Sequence, residues 1–151
     1  MATKISTIYD ALYTKVTSLM TGHTELPRPF DIADNDDLFL RKGFAIYFAS
    51  GVQNNRQATC NYWLQRNVII TNTLSIYGSD INVTIRKTAE KNLLENQILV
   101  IDGLEKDITL SDNLNNLRFV NDNGIEFIYG DQKNYLMLQS TFSFEYFESL
   151  N

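Results

Sequence analysis

The sequence predicts an α+β fold, with a mainly antiparallel sheet and two principal helices in a single domain, residues 1–151. Three patterns point there. Apolar residues recur at three- and four-residue steps in two separate stretches, as on one face of a helix. Two long tracts place their apolar residues at alternate positions, as half-buried strands do. The order along the chain is helix, strands, helix and a closing meander, with no heptad run or internal repeat.

Ile5, Ile8, Leu12, Val16 and Leu19 mark the first helix, Thr3 to Met20, and Gly22 suits its C-terminal end. Thr24 to Asp37 reads as a connector. Its "LPRPF" fixes two φ angles, and "DIADNDD" is too polar to bury. "GFAIYFAS" (Gly43 to Ser50) is a strand, and "GVQNNRQA" (Gly51 to Ala58) is expected to be a polar loop. From Cys60 to Ile76 a β-prone tract keeps Cys60, Tyr62, Leu64, Val68, Ile70, Leu74 and Ile76 on one parity, interrupted by Arg66 and Asn72. Unbroken, it would span roughly 55 Å at about 3.3 Å per residue, so it bends or projects beyond the body.

Ser79 and Asp80 can cap a second helix, strongest over Thr88 to Leu104, with Leu94, Ile98, Ile101 and the neighbouring Leu93 and Val100 as its expected buried stripe. "LRFVNDNGIEFIYG" reads as a hairpin. A three-residue loop, Asp122-Asn123-Gly124 with Gly124 left-handed, would pair Phe119 with Phe127 and Leu117 with Tyr129. Gly130 to Asn134 turns the chain into a last strand, Tyr135 to Glu148, with Leu136, Leu138, Phe142, Phe144 and Tyr146 on one face. That strand would reach roughly 46 Å, against a body about 38 Å across for this chain length.

The 151 residues are 44% hydrophobic and 21% charged, an ordinary globular composition. Thirteen Lys and Arg stand against 18 Asp and Glu, a net charge of −5. This disfavours tight nucleic-acid binding, which gains affinity by neutralising phosphates, but leaves room for DNA sliding past without sticking. Lys4, Asp10 and Lys15 interrupt any signal-like apolar run near Met1, and no segment reaches membrane-spanning length. A protein made and kept in a cytoplasm is the expectation.

No catalytic constellation emerges. His23 is the only histidine, and beside Gly22 it reads as a solvent-exposed cation at a helix end. Cys60, the only cysteine, lacks a base other than His23 and reads as a small buried apolar residue. Asp31, Asp34, Asp36 and Asp37 could gather a cation, but their loop lacks the turn glycine and closing Glu of an EF-hand, so a solvated turn is the simpler reading. Nucleotide-binding glycine motifs are missing, and "RKTAEK" is a helix face of mixed charge. The expectation is a non-enzyme with no cofactor and no metal. What stands out is surplus strand, whose backbone groups need partners. Identical copies closed into a ring would supply them without open-ended growth, with the terminal strand and the Cys60 to Ile76 tract reaching into a neighbour. The competing reading breaks each tract with a bulge, giving short strands in a monomer.

The helix "ISTIYDALYTKVTSL", the segment "LPRPFDIADNDDLFLRKGFAIYFASGVQNNR", the helix "AEKNLLENQILVIDGLEKD" and the closing "LRFVNDNGIEFIYGDQKNYLMLQSTFSFEYFE" follow in an order that resembles the tail terminator proteins of long-tailed bacteriophages. The resemblance covers nearly the whole chain through order and texture. It implies a structural virion protein of the tail–neck junction, assembled in the host cytoplasm. A homo-hexameric ring would cap the tail tube, stop tube polymerisation, offer the head–tail joining surface and leave a central channel for passing genomic DNA. The implied partners are further copies of the chain, the tail tube protein and a head-completion or neck connector protein, with no membrane. Asn54, Asn55, Arg56, Trp63, Phe142, Phe144 and Tyr146 are the expected subunit or tube contacts. Asp34, Asp36 and Asp37 are candidates for an acidic lumen or loop contact. The alternative is a neck connector or stopper between portal and tail.

Overall fold

Two helices and five strands follow one another as α1 (Ile5–Leu19), β1 (Thr24–Glu25), β2 (Lys42–Arg56), β3 (Asn61–Ile76), α2 (Val83–Glu105), β4 (Asn115–Tyr129) and β5 (Asn134–Ser149). The computed structural model describes residues 3–26, 42–56, 61–76, 83–129 and 134–149, with backbone alone at 53–56, 61–62, 129 and 149. Its sheet runs β1-β2-β3-β5-β4, antiparallel throughout except for the short β1–β2 pair. This is the α+β, mainly antiparallel class expected from the sequence.

The long tracts are long strands. β3 and β5 have 16 residues each and pair along that whole length without a register shift, from Asn61 opposite Ser149 to Ile76 opposite Asn134. Each therefore completes the other's hydrogen bonding within one chain. The expectation that both tracts reach into a neighbouring subunit for their backbone partners gives way to this pairing, and so does the reading of short broken strands.

Bulges sit instead in the outer strands. The segment expected to loop at Gly51 stays in β2 to Arg56. Phe48 pairs with Val68 and Gly51 with Arg66, so two residues of β2, Ala49 and Ser50, lie opposite the single Asn67 of β3, and a second shift follows between Gln53 and Asn55. Unbroken β3 keeps offering backbone partners, which outweighs the weak strand preference of "GVQNN". Arg66, the odd cation in an apolar series, has its place here. Its Nη1 donates to the Ala49 carbonyl at 3.0 Å, and a Cβ on Gly51 would stand 2.8 Å from Nη2. Gly51 is what lets the guanidinium lie against the bulge.

The expected hairpin at Asn123-Gly124 is a bulge as well, within a continuous β4. Asp122 faces Ser140 and Ile125 faces Leu138. Gly124 is left-handed (φ 77°), as its residue type suggested, and its N–H donates to Asp122 Oδ1 at 2.8 Å. Phe119 consequently lies opposite Phe142 and Phe127 opposite Leu136, not opposite each other. A hairpin would have cost both phenylalanines their places on β5. The turn from Gly130 to Lys133, the Ser79–Asp80 cap, Cys60 and most of the connector lie outside the described residues. Of the connector's first residues, Thr24–Glu25 pair in parallel with Gly43–Phe44.

Both helices lie on one face of the sheet. Ile8, Leu12 and Val16 of α1 and Val100 and Leu104 of α2 pack on Phe44, Ile46, Val68, Ile70, Phe142, Phe144 and Tyr146. A second, smaller cluster holds Leu74, Ile76, Leu136 and Leu138 under Ala89 and Leu93. Between them lies a polar belt: Asn72, Ser140, Asn96 and Gln97 are all buried. Gln97 Nε2 donates to Ser140 Oγ at 2.9 Å and to Asp122 Oδ2 at 3.0 Å. That anchoring helps fix the rotation of α2. Its buried line is Ala89, Leu93, Asn96, Gln97, Val100 and Leu104, so Leu94 (45% exposed) and Ile98 (57%), expected inside, face out, and Ile101 is half-buried.

The start of α1 has no side-chain cap of its own from Lys4. The terminal strand supplies one: Glu148 Oε2 accepts the Ile5 N–H at 3.0 Å, beside a Thr3 N–H bond to the Phe147 carbonyl at 2.8 Å. A carboxylate at a helix N-terminus meets unpaired donors and the positive end of the dipole. Glu148→Ala is expected to cost about 1 kcal/mol and to speed amide exchange in the first turn of α1 while leaving the centre of β5 protected.

Candidate subunit interface

A five-stranded sheet ends in two edges, and the chain covers the first part of each. At β2, the Leu26 N–H takes the Phe44 carbonyl at 2.7 Å and the Tyr13 hydroxyl donates to the Ile46 carbonyl at 3.0 Å. At β4, the Leu117 N–H bonds the Ile108 carbonyl at 2.9 Å and the Phe119 N–H bonds Glu105 Oε1 at 3.0 Å. Past those points come the bulges, Phe48/Gly51 and Gln53/Asn55 in β2, Phe119/Asn121 and Asp122/Ile125 in β4. Covering and bulging are both ways of discouraging edge-to-edge addition. Any contact between copies would therefore fall more naturally to side chains than to a continued sheet.

The sheet supplies such side chains at one end. At the β2–β3 end, Gly51, Val52 and Trp63 belong to neither apolar cluster. On its helix-free face, Trp63 lies opposite Phe147 with ring centroids 5.2 Å apart, and Val52, opposite Gln65, is 60% exposed. Trp63 and Phe147 are half-buried. The three form an apolar surface that no helix covers.

The expected contact residues divide accordingly. Asn54, Asn55 and Arg56 lie at this end, in the last backbone positions of β2. Trp63 is at its centre. Phe142, Phe144 and Tyr146 are instead inside the chain's own core, at most 2% exposed, and are removed from the interface set. They occupy the even face of β5, which the helices claim. Asp34, Asp36 and Asp37 lie outside the described residues. Sequence reasoning missed Val52, assigned to a loop, and Phe147. The signal for Phe147 was present, as an aromatic on the wet parity of an otherwise regular alternation.

Two titrating groups near the core are structural. Burial first, then Glu148, pushes the Tyr146 hydroxyl from 10.0 up to about 12. The fold thus favours the neutral phenol, and that contribution is complete below pH 10 and is lost as pH rises towards 12. Tyr146→Phe is expected to flatten the fall in unfolding free energy over that window, read from denaturation midpoints beside an ultraviolet phenolate titration. His23 is half-buried, not solvent-exposed, and burial lowers its pKa from the usual 6.5, with Lys42 adding to the effect. Its Nδ1 lies 3.4 Å from the Thr21 carbonyl.

Among the described residues, no group of three or more His, Cys, Asp or Glu is placed to hold a metal ion, and no helix is long and apolar enough to cross a membrane. No family model matches the chain, and no curated protein matches it.

Proposed function

We propose that this chain is a structural subunit whose copies form a ring, a homo-hexamer that caps the tail tube of a long-tailed bacteriophage, ends tube growth and presents the surface on which the neck docks. The observation that carries this reading is the apolar patch at the β2–β3 end of the sheet, where Val52, Trp63 and Phe147 share the helix-free face. A subunit acting alone has little use for such a patch, whereas one that must meet neighbours gains contact surface from it. The role is architectural and needs no cofactor, metal or catalytic group. Tube growth would halt because one ring face matches the tube subunit and the other does not. A net charge of −5 suits a channel through which DNA slides without sticking. In the virion the ring would sit at the tail–neck junction, between the tube protein and a connector.

Electron micrographs and sedimentation of the purified protein test this. Rings with sixfold symmetry are expected, and twelvefold rings would favour a neck connector. A double variant, Val52→Asp with Trp63→Asp, is expected to keep the far-ultraviolet spectrum of the parent and lose the ring. Deletion of Asn54–Arg56 is expected to leave a folded protein that fails to cap tubes. A monomer at every concentration, or tails of normal length with the deletion, would sink the reading.

A further inference from the structure

A ring of identical copies needs two unlike surfaces on each chain, because every copy meets one neighbour with one side and the other neighbour with another. The patch of Val52, Trp63 and Phe147 is one of them. The second must be apolar, exposed and turned away from the first. α2 carries such a surface. Leu94 is 45% exposed and Ile98 57%, and half-buried Ile101 continues them at the four- and three-residue steps that align side chains along one flank of a helix. Glu105 is the next residue of that flank, and its Oε1 accepts the Phe119 N–H of β4 at 3.0 Å. Gln97 reaches β4 too, through Asp122 Oδ2 at 3.0 Å. The stripe therefore stands on the β4 side of α2, and next to Phe119 in the chain comes Val120, 55% exposed.

Patch and stripe lie on opposite sides of the subunit. The patch is on the helix-free face and runs from β5 across β3 to β2, the outermost described strand there, since β1 pairs only at Gly43 and Phe44. The stripe is on the helix face beside β4, at the other end of the strand order. They match in size as well. Three adjacent strands about 4.8 Å apart make the patch about 10 Å across, and Leu94 to Ile101 covers about 10 Å at about 1.5 Å per helical residue. Charges of opposite sign flank them. Lys91 and Lys87, both exposed, extend the stripe towards the start of α2, whereas Glu145 stands two residues from Phe147 on the same face of β5, opposite Gln65.

We infer that the α2 stripe of one copy docks on the Val52, Trp63 and Phe147 patch of the next, a head-to-tail contact that closes the ring. Leu94, Ile98 and Ile101 lie against the indole and the Phe147 ring, and Lys91 turns to Glu145. This assignment rests on the ring proposed above and names the surface that the patch meets. It gives a use to Leu94 and Ile98, which belong to neither of the chain's own apolar clusters. Patch on patch, or stripe on stripe, would join copies in pairs and stop there.

Mixing defective copies of the full chain tests this. Val52→Asp with Trp63→Asp spoils the patch, and Leu94→Asp with Ile98→Asp, both at exposed positions, spoils the stripe. Each variant alone is expected to sediment as a monomer with the far-ultraviolet spectrum of the parent. Mixed in equal amounts, they are expected to form a two-chain species and nothing larger, since one intact patch then meets one intact stripe. Ile98→Lys, at the stripe's most exposed position, is the milder form of the same variant, and it too is expected to lose the ring. Lys91→Ala is expected to raise the concentration at which rings dissociate roughly threefold, the scale of an exposed ion pair. If the parent forms rings, then rings that persist in both stripe variants, or a mixture that stays monomeric, would overturn this contact alone. A parent chain that never assembles would remove the contact and the ring together.

Discussion

Phe144→Ala is expected to lower the unfolding free energy by about 3–5 kcal/mol, the range for deleting a fully buried phenylalanine. Phe144 is 0% exposed and lies in the sheet's larger cluster, edge-on to Phe48 at 6.4 Å and beside Tyr146 at 5.8 Å. Those neighbours are themselves fixed: Phe48 by Tyr9, at 5.1 Å, and Tyr146 by burial. Long, paired strands cannot close around the hole, so the cavity term stays large. Single domains hold only about 5–15 kcal/mol in all, and the variant should show a much lower denaturant midpoint with an unchanged slope. A loss below about 1 kcal/mol would mean that α1 does not seal this face. Thr141→Ala, on the opposite face of the same strand, is the control and should stay within about 0.5 kcal/mol.

Gln97→Leu is expected to cost about 1–3 kcal/mol although it makes the core more apolar, because it strips donors from buried Ser140 and from Asp122. Removing the other partner as well should recover part of this. In a double-mutant cycle with Ser140→Ala, a coupling of about 0.5–3 kcal/mol is expected. Zero coupling would mean that the amide does not anchor α2 on β5.

The sequence made some of this plain and left the rest undecided, for physical reasons. Alternation in β5 holds from Leu136 to Tyr146 because a face covered by helices tolerates no other pattern. The helix α1 was equally legible, with Ile8, Leu12 and Val16 fully buried. α2 was not, since it carries apolar residues on two flanks. Leu93 with Val100, and Leu94 with Ile98, make competing stripes, and the reach of Gln97 to Ser140 helps to decide between them. Local turn chemistry misled for a similar reason. Asn123-Gly124 does adopt the left-handed geometry its residues favour, but whether that geometry reverses a chain or merely kinks it depends on a partner strand far along the sequence. At the candidate interface, Trp63 could be picked out as a large aromatic in a β tract. Val52 could not, because its strand looked like a loop.

The polar belt that separates the two apolar clusters gives the molecule an uneven resistance to opening. Amides of α2 near Ala89 and Leu93 should exchange with solvent through a smaller fluctuation than those near Val100 and Leu104, so that one helix spans two tiers of protection. The domain would then breathe at the end where Ala89 and Leu93 cover the sheet while the part that holds α1 remains shut.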